Sequence, residues 1–385
     1  MTKLAEQLTN KEYSIGIFID LQKAFDTVNH KILLDKLSFY GIRGVTLAWF
    51  HSYLANRSQC VYLNNTFSSY GAVVCGVPQG SILGPLLFIL YINDIVHCSK
   101  VLYFILFADD TNLLYSNVNI SELISVVNSE LRKLSCWFKS NRLSLNVKKS
   151  NFIMFGNKQI SNCQINIAID DAKLERASSL KFLGVHIDGR LTWKTHIAEI
   201  SKKVSKNVGI LNKIKYKVPS ESLLTLYHAM IGSHLSYCTI VWGCAKPSVI
   251  DSLIKLQKRA VRIITLSKFR EHSDPLFFNL GILKISDIYR LQVATFVFNV
   301  KFDKFSNSLE IFYRNFQFPD VNKGYITRSA CSNLAMPRFR TEIRKNSVLC
   351  SGPRIWNYLP TEYKCNQCIH HFNKQLKLLF ISKYH

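Results

Sequence analysis

The chain of 385 residues carries 49 Lys+Arg against 25 Asp+Glu, a formal net charge of +24, which points to a polyanionic partner. Its 48% hydrophobic and 12% aromatic content excludes a disordered chain and leaves room for two or three domains. The longest apolar runs, at 82–92 and 101–108, are too short to cross about 30 Å of hydrocarbon, so a membrane-spanning role is excluded.

The N-terminal MTKLAEQLTNKEYS has no apolar core of a secretory signal, and an intracellular protein is expected. IGIFI at 15–19 predicts a buried strand ending at Asp20. Helical spacing follows through Val28, Ile32, Leu33 and Leu37 and stops at Gly41; a second short helix is expected over 44–54. Residues 59–74 predict two strands around Asn64-Asn65, a residue type that tolerates positive φ. GVPQGSILGP at 76–85 then leads into an apolar segment expected as a buried helix to about 96.

Strand-like runs at 102–107 and 111–116 place Ala108, Asp109 and Asp110 at a hairpin tip. Residues 120–140 have a helical apolar period, and short strands are expected at 151–156 and 180–187. From 192 onward, amphipathic helices near 192–217, 219–236 and 248–266 predict a separate helical domain. The last 80 or so residues are less regular. There PRFR at 337–340 and GPRIWNYLP at 352–360 stand out; Trp356 and Tyr358 offer base-stacking surfaces, but ordinary packing is the stronger expectation.

The charge is unevenly spread. Residues 1–150 are near balance, so most of the positive excess, and the grip on a phosphate backbone, is expected downstream. The 11 cysteines are an odd number and scattered, and Cys75, Cys98, Cys238 and Cys244 lie in apolar stretches, as reduced packing residues would. Cys365-x-x-Cys368 with His370 and His371 is the nearest approach to a zinc signature. No second Cys pair stands at finger spacing, so thiols without metal are the stronger expectation.

Aspartates at the ends of hydrophobic strands lose solvation and need neutralising partners. Each of Asp20, Asp109 and Asp110 alone is most simply a turn or cap residue. Together they form a set able to converge on one or two Mg²⁺ ions, which favour a few carboxylates plus substrate phosphates over a complete protein cage. Two such ions would activate a 3′-hydroxyl and stabilise a leaving pyrophosphate.

In these contexts the sequence resembles the reverse transcriptase of non-LTR (LINE-type) retrotransposons, most closely the jockey-like group. FIDLQKAFDTVNHKILLDKL at 18–37 is similar to motif A, GVPQGSILGPLLFILYINDI at 76–95 to motif B and FADDTNLLY at 107–115 to motif C. NRLSLNVKKSNFIMF at 141–155 resembles motif D and FLGVHID at 182–188 motif E, while SHLSYCTIVWG at 233–243 and LQKRAVRII at 256–264 resemble the thumb. The resemblance implies an α+β fold: a palm of antiparallel sheet with packed helices over 1–190, a helical thumb or connection over 191–300, and a basic C-terminal region of unassigned role over 301–385.

It also implies roles. Asp20 and Asp109 become the principal ligands of two Mg²⁺ or Mn²⁺ ions, with Asp110 adjacent. Phe25, five positions after Asp20, matches the steric gate that crowds a ribose 2′-hydroxyl. Pro78, Gln79 and Gly80 match the loop that meets the incoming nucleotide and template. Lys149 aligns with the motif D lysine that protonates or neutralises pyrophosphate, with Lys148 one position away. Phe182, Leu183 and Gly184 match the primer grip. Arg57 is a candidate for template phosphate and equally a surface arginine.

The implied function is an RNA-directed DNA polymerase extending a primer 3′-end on an RNA template with deoxynucleoside triphosphates, in the nucleus and cytoplasm. The family's fingers region and N-terminal endonuclease precede motif A, whereas about 14 residues do so here. The sequence is therefore expected to be the C-terminal portion of a longer reading frame or a degenerate copy, with fingers largely missing and weak polymerase activity alone. The alternative function is an inactive relict that binds nucleic acid nonspecifically. A group II intron-like maturase shares the palm, but no splicing domain is recognisable.

Overall fold

The computed structural model describes residues 2–156, 165–302, 304, 312, 316, 333–365 and 367–385. Two compact units are present: Lys11–Ser178, and Met1–Asn10 together with Ser179–His385. The first helix, α1 (Thr2–Thr9), therefore groups with the C-terminal unit.

The first unit is built on β1 (Tyr13–Ile19), whose Ile15, Ile17 and Ile19 are buried. Gly16 has a specific packing role: a Cβ there would stand 2.8 Å from the Phe155 ring. Asn29 caps α2 (His30–Phe39) by accepting the Ile32 N–H at 3.1 Å, and α3 (Gly44–Leu54) follows. The expected strands at 59–74 are realised as β2 (Arg57–Gln59) paired with β5 (Gly71–Val73), and between them β3 (Tyr62–Leu63) paired with β4 (Thr66–Phe67). The turn lies at Asn64-Asn65, both with positive φ.

Helix α4 (Leu83–Ile92) runs into a 3₁₀ turn over Asn93–Cys98. The expectation of a fully buried helix is corrected here. Leu87, Phe88 and Tyr91 are buried, but Ile82, Leu86 and Ile89 are exposed. The buried Tyr91 hydroxyl donates to the Asn141 carbonyl at 2.6 Å, fixing α4 against the end of α5 (Ile120–Ser140).

Between those helices come β6 (Tyr103–Phe107) and β7 (Asp110–Asn117); β8 (Asn151–Phe155) follows α5. Short strands β9 (Ala168–Ile169) and β10 (Ala172–Lys173) pair with each other, and β11 (Glu175–Arg176) lies parallel to β8. The main sheet has the order β11-β8-β1-β7-β6, antiparallel except at β11. The buried Leu123, Val127, Leu131, Leu134 and Phe138 of α5 join the same core as Ile15 and Ile17.

The second unit opens with the hairpin β12 (Ser179–Phe182) and β13 (Val185–Asp188). This hairpin, expected with the sheet of 1–190, groups instead with the helices that follow. Helix α6 (Lys194–Ile214) packs on β13, and α7 (Ser220–Tyr227) continues through a π turn into α8 (Ser233–Ser236). Next come α9 (Thr239–Trp242), α10 (Pro247–Ile264), which packs along α6, α11 (Asp274–Asn279) and α12 (Ile285–Lys301). The described tail is helical, against the irregular expectation: α13 (Glu342–Asn346), α14 (Val348–Tyr358), α15 (Thr361–Lys364) and α16 (Ile369–Ile381).

Helices α14 and α16 pack on α12, where Phe298 and Phe372 stack at 4.5 Å between ring centroids and Trp356 lies 5.9 Å from Phe372. Trp356 is buried, as packing requires; Tyr358 is exposed. Among the described residues no helix is long and apolar enough to cross a membrane.

His196 on α6 is buried against Trp242, accepts the His186 N–H at Nδ1, and has no partner for Nε2 among the described residues. Burial first, then the nearby His186 and Lys203 charges, push its pKa down to about 4. The folded state holds His196 neutral while the unfolded chain protonates near 6.5, so stability is full above that value and is lost as pH falls toward 4. We expect His196→Gln to remove about 2 kcal/mol of the acid sensitivity of unfolding between pH 6.5 and 4.5, read by urea denaturation. Identical pH profiles for both proteins would show that His196 stays protonated in the fold.

Candidate active site

The three aspartates are placed by strand pairing. In the β1–β7 ladder Ile19 lies opposite Thr111, and Phe107 lies opposite Asp110 in the β6–β7 hairpin. Asp20 follows Ile19 and Asp110 precedes Thr111, so the two carboxylates occupy the next position of the same register. Asp110 is thus the first residue of β7, not part of the turn. The turn itself is Ala108-Asp109, with Ala108 at φ 50°. An alanine in that region is strained, a feature that concentrates at functional turns. Asp109 and Asp110 are exposed and Asp20 half-buried.

Asp20 is held from below by the 144–150 segment. Its N–H donates to Ser150 Oγ at 3.1 Å, and that hydroxyl donates to the Asn146 carbonyl at 2.9 Å. The Asp20 carbonyl accepts the Asn146 N–H at 2.8 Å, and the Gln22 N–H donates to Ser144. Ser150 is buried and went unremarked in the sequence, where a serine after two lysines carries no signal. The same segment carries the exposed Lys149, whose N–H donates to the Asn146 carbonyl, so Lys149 is brought to the stretch docked on Asp20.

The motif B stretch docks on the segment after Asp20. Val77 N–H donates to the Phe25 carbonyl and Gly76 N–H to Val28, each at 2.8 Å. Gly76 lies at φ 89°, and a Cβ there would stand 2.8 Å from the Asp26 carbonyl oxygen, so only glycine permits the approach. Gln79 Nε2 donates to Asp26 Oδ1 at 2.7 Å. The Ser81 hydroxyl donates to the Pro78 carbonyl at 2.7 Å and accepts the Gly84 N–H at 2.9 Å. Gly80, at φ 80°, faces open space. Phe25 is half-buried with its ring 4.7 Å from that of Phe88 on α4.

Phe182, Leu183 and Gly184 lie in the other unit, at the β12–β13 turn. Leu183 (φ 44°) and Gly184 (φ 81°) form a tight two-residue loop between the Phe182–Val185 pair. The Tyr237 hydroxyl donates to the Leu183 carbonyl at 2.8 Å, tying the turn to the SHLSYC stretch. Arg57 lies on β2, its guanidinium 5.0 Å over the Tyr53 ring.

Partial burial, then the charges of Asp109 and Asp20, raise the carboxyl pKa of Asp110. Three negative groups thus share one field with only oxygen donors, which suits a hard divalent cation. Among the described residues no three His, Cys, Asp or Glu side chains stand close enough to hold a metal by themselves. The same holds for Cys365, Cys368, His370 and His371. Cys75, expected as a packing residue, is exposed.

Residues 2–187 match the reverse transcriptase (RNA-dependent DNA polymerase) family. Over 281 residues the chain is 29% identical to the probable RNA-directed DNA polymerase from transposon BS of Drosophila melanogaster, covering 68% of this chain and 30% of that protein. The matched region is similar to reverse transcriptases of the non-LTR retrotransposon type. The RNA-directed DNA polymerase from mobile element jockey of Drosophila melanogaster is 26% identical over 292 residues, covering 73% of this chain and 32% of that protein. Among solved structures, apo telomerase from Candida tropicalis is similar at 13% identity and a TM-score of 0.40, over 74% of this chain and 49% of that one. The chain spans about a third of the length of the curated relatives it matches.

The raised Asp110 pKa makes a stability prediction. Above both the folded and the ordinary carboxylate pKa, burial of Asp110 and then crowding by the like charges of Asp109 and Asp20 cost the folded state, and the cost disappears as pH falls and Asp110 is protonated. In metal-free buffer at pH 7, Asp109→Asn should therefore raise the thermal midpoint by about 1–2 °C, a few tenths of a kcal/mol at an exposed site. An unchanged or lower midpoint would show that the aspartates do not repel one another.

Proposed function

We propose that this chain carries the palm catalytic centre of an RNA-directed DNA polymerase that extends a primer 3′-end on an RNA template. The observation that carries the proposal is the β1–β7 register, which sets Asp20 beside the Asp109-Asp110 hairpin within a region matching the reverse transcriptase family. Asp20 and Asp109, with Asp110 adjacent, would hold Mg²⁺ or Mn²⁺. When bound, two such ions would lower the pKa of the primer 3′-hydroxyl and neutralise charge developing on the triphosphate.

This chain's own residues do the positioning. Ser150 fixes the backbone of Asp20. Phe25, packed on Phe88, presents a ring edge that a 2′-hydroxyl would strike while a deoxyribose passes. Pro78, Gln79 and Gly80 meet the nucleotide and template, with the Gln79 amide oriented by Asp26. Lys149 supplies a proton or positive charge to departing pyrophosphate. The turn of Phe182, Leu183 and Gly184 grips the primer end, and its contact with Tyr237 keeps it rigid. Work on an RNA template and DNA primer is proposed for the nucleus and cytoplasm.

Primer extension on poly(rA)/oligo(dT) with Mg²⁺ or Mn²⁺ tests this reading. We expect dTTP incorporation by the wild-type chain, abolished by Asp109→Ala. No extension by either protein, with binding to the duplex retained and steeply salt-dependent, would establish the relict instead. For the gate, Phe25→Val should raise ribonucleotide use relative to deoxynucleotide use by about tenfold or more, on the scale of relieving one steric contact. Unchanged sugar discrimination would remove Phe25 from that role.

A further inference from the structure

The GPRIWNYLP stretch is not used by the polymerase reading, yet it forms one wall of a cavity of about 700 Å³ inside the C-terminal unit. Arg354, Ile355 and Tyr358 of α14 face the first turns of α10, with Ile250 and Ile254, and of α12, with Tyr289 and Arg290. Gly243 makes the close approach possible: a Cβ there would stand 2.7 Å from the Tyr289 ring. No carboxylate lines the cavity among the described residues. Its interior is aliphatic and aromatic, and its rim is cationic.

The rim cations are fixed in different ways. Arg290 is held by Asp287 at 2.8 Å, and Asp287 also accepts the Tyr384 hydroxyl at 2.6 Å. One carboxylate thus anchors the guanidinium, whose fork has further donors to offer. Arg354 is exposed. Lys383 lies 4.7 Å over the ring of Tyr358, a wall residue.

We propose that this cavity binds an unpaired nucleotide of a single-stranded nucleic acid, with the base among the aliphatic and tyrosine side chains and its phosphate paired with Arg290 and Arg354. The volume falls in the range of ligand pockets and exceeds what one base requires. Flat bases stack on tyrosine faces and guanidinium planes, and arginine forks match phosphate oxygens in pairs. An apolar peptide would satisfy the floor but not the rim, and a duplex would satisfy the rim while keeping its bases out of the floor. The inference rests on the polymerase reading only for the class of ligand.

The test uses the full chain, a fluorescent 12-nucleotide single strand as RNA and as DNA, and a blunt duplex of the same length. Arg354→Gln, at an exposed position, should weaken single-strand binding about 5–10-fold and reduce the salt slope by about one phosphate contact, whereas Ile250→Trp, which blocks the floor, should weaken single-strand binding and leave duplex binding near wild type. Photo-crosslinking of 4-thiouridine RNA should label the peptides bearing Ile250, Tyr289 or Tyr358. Ile250→Trp, which fills the cavity, should abolish that label in protein with a wild-type circular dichroism spectrum. Equal affinity of Arg354→Gln and wild type for the single strand, or labels only elsewhere, overturns the proposal, as does displacement of the strand from this site by acidic peptide but not by excess mononucleotide. A chain that extends primers yet shows these results retains its polymerase reading and loses only this site.

Discussion

The register of β1 against β7 is the constraint on which the candidate active site depends. Side chains alternate along a strand, so a slip of one residue would turn Asp20 away from Asp110 and move Ile15 and Ile17 to the opposite face, where even a Cβ at Gly16 would stand 2.8 Å from the Phe155 ring. Two features oppose it. The buried isoleucines lie on the core side, and Ser14 and Ser116, direct partners in the ladder, are joined by a 2.7 Å hydrogen bond between hydroxyls. A slip would leave Ser14, wholly buried, without that partner. Burial energy that stabilises the sheet therefore also fixes the spacing of the carboxylates.

Register places Asp20 only to the end of a strand; the next residues need other supports. The chain after Asp20 is clamped on one side by Asn146 and Ser150 and on another by Gly76 and Val77. These contacts join segments more than 100 residues apart in one case and about 50 in the other, so the ring of motifs A, B and D closes through backbone hydrogen bonds, with few side chains involved. Backbone bonds between such segments tolerate side-chain change. The exceptions are the positions where the side chain itself closes the ring: Ser150, the Gln79–Asp26 pair, and Gly76, where a Cβ would collide.

Local pattern made the elements legible where burial and period agree. The isoleucine run at 15–19, the period of 120–140 and the amphipathic helix at 248–266 appear nearly as the residues suggest, because the first is buried on both faces as a central strand and each helix buries one continuous face. The 82–92 run misled, because apolar composition on all sides reads as full burial while Ile82, Leu86 and Ile89 are exposed. The tail was opaque for a different reason. Its α14 contains Pro353 within the helix, and the burial of Trp356 comes from Phe372 and α12, partners distant in sequence. In the candidate site the aspartates, Phe25 and Gln79 were visible through motif resemblance, whereas Ser150 was not. A hydroxyl that orients a backbone N–H has no spacing rule, and only the folded contact gives it meaning.

Several residues hold a left-handed backbone, and three of them stand at the candidate site or at the β12–β13 turn. Asn56, Asn64, Asn65 and Asp170 adopt positive φ cheaply, since Asn and Asp tolerate that region. Lys23, Ala108 and Leu183 do not belong to that class, nor do Lys11, Arg142, Leu191, Trp193, Cys238 and Leu266, and each costs the fold on the order of 1 kcal/mol relative to a glycine. Lys23 lies three residues after Asp20, Ala108 adjoins Asp109, and Leu183 forms the turn held by Tyr237. Glycine would relieve the strain at each position but would widen the conformations open to the neighbouring aspartate or turn. At Ala108 this matters most, because the adjacent carboxylates repel and a looser turn would let them separate. A strained, stiff residue keeps them at the mouth of the sheet against that repulsion, and the energy comes from the same buried β1–β7 ladder that fixes Asp20.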